Sequence, residues 1–366
     1  MSLTAGIVGL PNVGKSTLFN AITKKNILIA NYPFATIDPN VGVVIVPDKR
    51  VTVLEEMYKP ERCIPTVYEF TDIAGLVKGA SAGEGLGNKF LSHIREVDAI
   101  VEVVRCFDDG NVIHVDGNID PIRDIEIINV ELIMSDLEIV ENRLNRIGKK
   151  AEMTKDKKEL LEIGALRKIK EALLQNIPVR KIELSEEELE AIKSFNLITL
   201  KPMIYVANVS EDDVVNGGNE YYEKVCEYAR NEGSEVVLIC AKIESELAEL
   251  DDVEKKEFLM ELGISESGLD QLIKKTYSLL GLATFFTVGS DEVKAWTFKK
   301  GMKAPQCAGI IHTDFERGFI RAEVTSYDDL IKYGSVNAVK EKGLLRMEGK
   351  EYIMQDGDIV LFKFNV

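Results

Sequence analysis

The stretch Gly9–Ser16 has the residue types and spacing of a phosphate-binding loop. It reads G-L-P-N-V-G-K-S, with four residues between its two glycines and Lys and Ser at the end. An apolar run, Ala5–Val8, precedes it and a helical pattern, Thr17–Ile22, follows. Glycines let backbone N–H groups converge on phosphate oxygens, and a helix N-terminus adds partial positive charge. The pattern therefore predicts that Lys15 binds the β- and γ-phosphates and that Ser16 ligates Mg²⁺.

Two later segments are typical of loops that respond to a γ-phosphate. Residues 31–40 contain two prolines that break regular structure, and Thr36 lies between them. We expect the Thr36 hydroxyl to complete Mg²⁺ coordination when a γ-phosphate is present. A predicted strand then ends in D-I-A-G, where Asp72 would hold Mg²⁺ through water and the Gly75 N–H would contact the γ-phosphate. A plain surface loop is the alternative interpretation of the glycine-rich stretch 79–88 that follows.

The residue after Gly75 is Leu76, and this predicts slow hydrolysis. Ras-type hydrolases carry Gln at this place, where it orients the attacking water, whereas Leu cannot form a hydrogen bond. His93, in the helical pattern after the loop, is a candidate for positioning water or transferring a proton. A lone exposed histidine on a helix is more often inert.

A second cluster of candidate residues would bind the purine base. The apolar run 202–207 ends in N-V-S-E, where GTPases carry N-K-x-D, whose Asp accepts two hydrogen bonds from guanine. The replacement of Lys by Val and of Asp by Glu weakens the prediction of a guanine site and makes adenine plausible. Downstream, C-A-K resembles the loop that packs on the base and sugar. The candidate base-binding residues are Asn208, Val209, Glu211, Cys240 and Ala241.

The elements around these motifs predict an α/β nucleotide-binding domain, formed by residues 1–125 and 197–281, with two additions. Residues 126–196 have helical spacing and few aromatic residues, which predicts two long helices in an antiparallel hairpin (a coiled coil). The basic run 149–158 at its tip is either a solvated surface or a contact to RNA phosphate. Residues 282–366 have a short, mixed pattern that predicts a compact α+β interaction module.

Composition limits the class of protein. The chain has 366 residues and a net charge of −16, which argues against a general nucleic-acid coat and against DNA as a partner. We find no apolar run long enough to span a membrane and no signal peptide. Its five cysteines are scattered and include no C-x-x-C pair, so we expect reduced thiols and a cytoplasmic protein.

Taken together, the motifs resemble those of the YchF/Obg-like ATPase family, over essentially the whole chain. The resemblance rests on the phosphate loop, N-Y-P-F-A-T at 31–36, D-I-A-G-L at 72–76, G-E-G-L-G-N at 83–88 and N-x-x-E at 208–211. It implies a Ras-like P-loop domain interrupted by the helical hairpin and followed by a β-grasp (TGS) domain. It also implies slow Mg²⁺-dependent hydrolysis of ATP, with some use of GTP, and association with the ribosome, both the 50S subunit and the 70S particle, through rRNA.

The resemblance also assigns roles to single residues. Mg²⁺ would be ligated by Ser16 and Thr36, Val209 would contact adenine, and Asn12 is similar to an asparagine that coordinates an activating K⁺ in related hydrolases. The residues that would hold the phosphates are Asn12, Val13, Gly14, Lys15, Ser16 and Thr17. Two other functions stay open: a GTP-specific switch, and a ribosome- or RNA-binding module whose nucleotide is structural.

Overall fold

The computed structural model describes residues 3–24, 40–73, 86–108, 118–154 and 156–365, except for the side chains of residues 86–89, 148–154 and 252. Thr36, Gly75 and Leu76 therefore lie outside the described residues. The chain divides into two compact units: the first unit comprises Met1–Val44 and Glu69–Leu272, and the second unit comprises Ile45–Tyr68 and Ile273–Val366.

The strands, in chain order, are β1 (Thr4–Val8), β2 (Val41–Ile45), β3 (Arg62–Ile64), β4 (Val67–Asp72), β5 (Ala99–Arg105), β6 (Met203–Asn208), β7 (Glu235–Ile239), β8 (Leu282–Val288), β9 (Glu292–Lys299), β10 (Phe319–Ser326), β11 (Arg346–Glu348) and β12 (Asp358–Phe364). The helices are α1 (Lys15–Lys24), α2 (Lys49–Tyr58), α3 (Leu86–Glu96), α4 (Pro121–Thr154), α5 (Lys157–Leu174), α6 (Glu186–Ile192), α7 (Glu211–Val215), α8 (Glu220–Glu232), α9 (Ala241–Leu247), α10 (Asp252–Glu261), α11 (Gly268–Leu279), α12 (Ala304–Ile311), α13 (Thr313–Arg317), α14 (Tyr327–Tyr333) and α15 (Val336–Glu341).

The first unit is built on a sheet of order β2-β4-β1-β5-β6-β7, in which the pairs β1–β4, β1–β5, β5–β6 and β6–β7 are parallel. Strands β5 and β6 are buried along their whole length, as near-continuous apolar runs in a parallel sheet predict. Because the strands are parallel, β1, β4 and β6 all end at the same edge of the sheet. This edge carries the loop after Val8, the carboxylate of Asp72 and the side chain of Asn208.

The predicted hairpin forms from α4 and α5. Arg143 Nε of α4 donates to Glu162 Oε1 of α5 at 2.6 Å, and Glu141, which comes earlier in α4, pairs at 2.8 Å with Lys170, which comes later in α5. This order of contacts is that of antiparallel helices. Asp156 caps α5 by accepting from the backbone N–H groups of Lys158 and Glu159. The turn therefore lies within the basic run that the sequence predicts to be the tip.

A buried group of polar side chains links the helical insert to the sheet. Arg180, which follows the hairpin, donates to Glu232 on α8 at 2.6 Å and to Asn129 on α4 at 3.2 Å. Tyr205 on β6 donates to the other oxygen of Glu232. Glu102 on β5 is 1 % exposed, and its Oε2 has no hydrogen-bond partner among the described residues.

The second unit contains a mixed sheet of order β11-β10-β12-β8-β9-β3. The pairs β8–β9, β10–β11 and β10–β12 are antiparallel, while β12–β8 and β3–β9 are parallel. One face of this sheet packs against α12 around Phe285, Phe298 and Phe362. This confirms the α+β character predicted for the C-terminal residues.

The second unit also includes a segment that the sequence did not assign to it. Helix α2 and strand β3 come from residues 45–68, and Leu54 of α2 is buried in a cluster with Phe286, Val293 and Leu330.

The predicted domain boundaries at 125/126, 196/197 and 281/282 stay a prediction. Among the described residues, none of the helices combines the length and apolar character needed to cross a membrane.

The buried Glu102 yields a prediction about pH and stability. Burial, opposed by Arg180 and reinforced by Glu232 and Asp124, raises the pKa of Glu102 well above its usual value. The folded state thus binds a proton that the unfolded chain releases, so stability falls as the pH rises above about 4.5, through the pKa of the folded state. We expect Glu102→Gln to raise the free energy of unfolding, and by more at pH 8 than at pH 5, in urea titrations.

Glu190→Gln is the matched control, because Glu190 forms an exposed ion pair with Lys193 on the protein surface. Its effect should be small at both pH values. A gain from Glu102→Gln that is the same at pH 5 and pH 8 would contradict the assignment of a raised pKa to this carboxyl group.

Candidate functional site

The loop between β1 and α1 has the backbone conformation of an anion-binding loop. Asn12 and Gly14 have φ values of +63° and +91°, in the left-handed region. A Cβ atom at Gly9 would lie 2.8 Å from the carbonyl oxygen of Val103, so only glycine allows this approach to β5. The amide of Leu18 donates to the Gly14 carbonyl at 3.0 Å, so α1 starts within the loop. Such alternation of backbone conformations directs successive N–H groups to one side.

Lys15 and Asp72 form an ion pair at the start of α1. The Lys15 side chain is 10 % exposed and that of Asp72 is 23 % exposed, so each is largely withdrawn from water. The Asp72 amide donates to the carbonyl of Asn40 at 2.8 Å, which fixes the end of β4. The structure thus brings together the predicted phosphate-binding lysine and the predicted Mg²⁺-binding carboxylate.

Asn208 joins the phosphate loop to the predicted base-binding residues. Its Nδ2 donates to the carbonyl of Val13 at 2.8 Å, and its Oδ1 accepts from the amide of Ala241 at 2.9 Å. The side chain is 5 % exposed, so both bonds are buried. One amide group therefore uses both a donor and an acceptor to hold together two segments that are far apart in sequence.

The residues after Asn208 form one wall of a cleft. Val209 is 2 % exposed, and its amide donates to the carbonyl of Ile239 at 2.8 Å. Glu211 opens α7, and its Oε2 accepts from Nζ of Lys242 at 2.8 Å. The carboxylate predicted to read the base is thus already paired with a cation.

The cleft has a volume of about 660 Å³ and connects the two predicted parts of the site. Of the sequence-predicted residues, it is lined by Asn12, Gly14, Thr17, Asn208, Val209, Glu211, Cys240 and Ala241. Val13, Lys15 and Ser16 belong to the same loop and first helical turn. Burial raises the pKa of the Cys240 thiol, so this cysteine packs as a neutral group and is not an activated nucleophile.

Sequence reasoning missed four residues that line the cleft: Phe107, Asp108, Ser210 and Lys242. Phe107 and Asp108 follow the carboxyl end of β5, at the same sheet edge as the phosphate loop. The parallel order of the strands is the signal that could have identified them. His93 is an exposed residue of α3 and is not among the residues lining the cleft.

A bound Mg²⁺ ion fits the donor atoms present. The Ser16 hydroxyl is an oxygen ligand of the kind that Mg²⁺ prefers, the Asp72 carboxylate would hold the ion through a water molecule, and phosphate oxygens would supply further ligands. Within the described residues, no group of three or more His, Cys, Asp or Glu side chains is placed to hold a metal ion.

Comparisons with known proteins identify relatives over the whole chain. Two family models match: MMR_HSR1, described as a 50S ribosome-binding GTPase, at residues 4–162, and YchF-GTPase_C, described as a protein of unknown function, at residues 282–365. The ribosome-binding ATPase YchF of Bacillus subtilis is 62 % identical over 367 residues, and that of Haemophilus influenzae is 55 % identical over 366 residues. Both alignments cover all of this chain and all of the relative.

Two solved structures share the fold of this chain. The YchF GTPase of Schizosaccharomyces pombe matches with a TM-score of 0.90 and 44 % identity, over 99 % of this chain and 98 % of that one. A GTP-binding protein of Pyrococcus horikoshii matches over the full length of both chains with a TM-score of 0.62 and 21 % identity. The second likeness concerns the fold alone.

The contact between Gly14 and Asn208 yields a test of the loop geometry. We expect Gly14→Ala to lower the free energy of unfolding by about 1 kcal/mol or more, because alanine disfavours a positive φ and its Cβ would collide with Nδ2 of Asn208. Gly164→Ala is the control: Gly164 lies on α5 with nothing within 4 Å of its Cβ position. That variant should gain up to about 1 kcal/mol. Urea denaturation measures both, and equal shifts would contradict the described loop.

Proposed function

The chain belongs to the YchF family, and from this membership we propose that it is a magnesium-dependent ATPase of the cytoplasm that associates with the ribosome. The observation that carries the proposal is the pair of buried hydrogen bonds made by Asn208. They join the loop at Val13 to the segment at Ala241 on one cleft, and the volume of this cleft supports the binding of a nucleotide.

At the phosphate end, the residues act by position and charge. Backbone N–H groups from Val13 to Thr17 would bind phosphate oxygens, and Lys15 would bind the β- and γ-phosphates. Ser16 and Asp72 would hold Mg²⁺, Asp72 through water. The ion supplies positive charge to the phosphates, which lowers the barrier to phosphoryl transfer. Lys15 and Asp72 already balance each other's charge in the loop.

At the base end, the pairing of Glu211 favours adenine over guanine. A guanine-specific carboxylate must accept hydrogen bonds from two donors of the base, and a site built in this way rejects bases that lack them. Lys242 engages the Glu211 carboxylate instead, and Val209 presents an apolar surface. Adenine lacks these two donors, so its binding does not require a free carboxylate at Glu211.

Hydrolysis is slow in this proposal, because Leu76 cannot orient water. Asn12 lines the cleft beside the phosphate loop, which supports a role in coordinating K⁺ near the phosphates. K⁺ would add positive charge where the family of Ras-type hydrolases uses Gln. His93 is the remaining candidate for positioning water, although it is exposed on α3 and does not line the cleft.

The nucleotide would act on the ribosome through the switch residues. Thr36 and the Gly75 amide would sense the γ-phosphate, and its loss would change how the hairpin and the C-terminal domain bind. We expect binding to the 50S subunit and to the 70S particle, with rRNA contacted by the basic run 149–158. A role in translation under stress follows from this association.

GTP is the second candidate nucleotide. The family model that matches residues 4–162 is described as a GTPase, and Asn208 and an acidic residue at position 211 are both present. The two candidates differ in one measurable quantity, the ratio of the dissociation constants for ATP and GTP.

Calorimetric titration at fixed Mg²⁺, with K⁺ exchanged for Na⁺, tests the proposal. We expect ATP to bind more tightly than GTP, and ATP hydrolysis to be faster in K⁺.

Lys242→Ala should shift the ratio of the two dissociation constants about two- to fivefold toward GTP, because it frees the Glu211 carboxylate to accept hydrogen bonds from guanine. The shift should be small because the Lys242–Glu211 ion pair is exposed, and exposed ion pairs contribute little. Lys256→Ala, an exposed lysine of α10, is the control and should change nothing. A GTP dissociation constant well below that for ATP in the wild type would reject the ATPase in favour of the GTP switch.

A further inference from the structure

The last turn of α3 is bound to the helical insert by one side chain, Arg95. Its Nη1 donates to Asp136 Oδ1 at 3.0 Å and to the carbonyl of Asn196 at 3.2 Å, and its Nη2 donates to the Ser135 hydroxyl at 2.7 Å. Ser135 and Asp136 belong to α4, the first helix of the hairpin. Asn196 opens the returning segment, residues 196–201, through which the chain passes from the insert back to β6. The planar guanidinium thus holds the outgoing and the returning part of the insert at once.

Asp136 is a buried carboxylate that fixes the returning segment. Its side chain is fully buried, and besides Arg95 it accepts from the backbone amides of Ile198 at 3.0 Å and Thr199 at 2.7 Å. The Thr199 hydroxyl also donates to it at 2.7 Å. These hydrogen bonds satisfy a carboxylate that would otherwise be costly to bury. One side chain therefore receives a cation from α3 and fixes the backbone that leads to β6.

Lys201 forms a second link between α3 and the returning segment. Its Nζ donates to the carbonyl of Arg95 at 3.0 Å and to the carbonyl of Val97. Carbonyl groups at the C-terminal end of a helix lack partners within the helix, and a cation is favourable there. Lys201 is the last residue of the returning segment, and β6 then ends at Asn208 in the nucleotide cleft. The end of α3 is thus bound to residues that continue into a wall of that cleft.

A small cleft lies beside these contacts, between α3 and α4. Its volume is about 230 Å³, and its lining includes Leu91, Ser92 and Arg95 of α3 with Ser135 and Ile139 of α4. At this point the two helices therefore meet through the polar bonds of a long side chain and not through close apolar packing. Such a contact leaves room for one helix to shift against the other, which a close-packed pair of helices does not.

The place of α3 in the chain relates this contact to the nucleotide. Helix α3 follows Gly75, the residue predicted to sense the γ-phosphate, and α4 ends within the basic run 149–158 at the tip of the hairpin. We propose that the Arg95–Asp136 pair couples the nucleotide state to the position of the hairpin. With a γ-phosphate bound, α3 is held where Arg95 engages Asp136, and after its loss the pair and the returning segment loosen. The inference rests on the proposed function, and it names the contact through which the nucleotide acts on the hairpin.

Arg95→Met is the variant that removes this contact and preserves the fold. Asp136 keeps its bonds to Ile198 and Thr199 when the guanidinium is removed, so the carboxylate is not left unpaired. We expect wild-type affinity for Mg·ATP, because Arg95 does not line the nucleotide cleft. Arg95→Lys is the second variant: it keeps the charge but lacks the planar fork that binds several acceptors.

Arg143→Met is the matched control. Arg143 pairs with Glu162 at 2.6 Å, so this variant also replaces an arginine of an ion pair by methionine, but the pair joins α4 to α5 within the hairpin. It should leave the response to the nucleotide as it is in the wild type.

The first test is amide hydrogen exchange of the full chain, followed at Ile198 and Thr199, whose N–H groups donate to Asp136. We expect exchange there to be about fivefold slower or more with Mg²⁺ and a non-hydrolysable ATP analogue than with Mg·ADP. Arg95→Met should exchange at the same rate with both nucleotides, and Arg95→Lys should keep less than half of the wild-type ratio. Equal rates in the wild type, or the wild-type ratio in Arg95→Met or Arg95→Lys, would overturn the inference.

The second test is co-sedimentation with purified ribosomes in the same two nucleotide states. The two dissociation constants of the wild type should differ about fivefold or more, and those of Arg95→Met should be equal. Arg143→Met should keep the wild-type ratio. A merely structural role of Arg95 would lower the stability of the protein and leave the ratio unchanged, and that result would count against the coupling.

The inference and the proposed function fail in different ways in the exchange experiment. If Mg·ATP does not protect the phosphate loop, where the Leu18 amide donates to the Gly14 carbonyl, the proposed nucleotide binding fails and the coupling fails with it. If the phosphate loop is protected but Ile198 and Thr199 do not respond to the γ-phosphate, the coupling is wrong and the proposed ATPase stands.

Discussion

The nucleotide site depends on one buried side chain, Asn208. Its amide group donates to the phosphate loop at Val13 and accepts from the loop that begins at Ala241. Both partners are backbone groups, so the bonds fix the course of the chain and not only the side chains. Gly14 must lack a Cβ atom because this amide occupies the space beside it. The two ends of the cleft are thus held at a fixed separation before any nucleotide enters, and such preorganisation lowers the cost of binding.

The same strands connect the site to the helical insert. Strand β6 ends at the cleft with Asn208, and Phe107, which follows the end of β5, lines the same cleft. Along their buried length, β5 carries Glu102 and β6 carries Tyr205. Those two residues belong to the polar group with Arg180 and Glu232. A polar group of this kind costs free energy of desolvation, yet it restricts how the insert can pack because few arrangements satisfy its hydrogen bonds. The hairpin is therefore attached to the sheet by specific contacts as well as by apolar packing.

The parts of the structure that the sequence predicted are those determined by local patterns. The phosphate loop, the strand ending at Asp72 and the strand ending at Asn208 could be predicted because each couples a short motif to a buried strand. The parallel sheet then brings the motifs together. The long hairpin followed from helical periodicity, which is strongest over long elements.

The parts that the sequence could not predict depend on contacts between distant residues. Nothing in the sequence of α2 indicates that Leu54 packs against Phe286, more than 200 residues later. The pairing of Glu211 with Lys242 likewise needs two loops to meet. The fold class and most of the residues that line the cleft were thus accessible from the sequence, while the pairing of Glu211 with Lys242, on which the proposed base preference rests, required the structure.

The affinity of Asn208→Asp for Mg·ATP, measured by isothermal titration calorimetry, tests the central claim most directly. Asp cannot donate to the Val13 carbonyl and places negative charge against it, so we predict a loss of at least about tenfold in affinity. The control is Asn219→Asp: Asn219 caps α8 and donates to the carbonyl of Cys106 at 2.7 Å, and it does not line the cleft. That variant should lose stability but keep its affinity for ATP. If Asn208→Asp binds Mg·ATP as tightly as the wild type does, the site does not depend on this side chain, and the account is wrong.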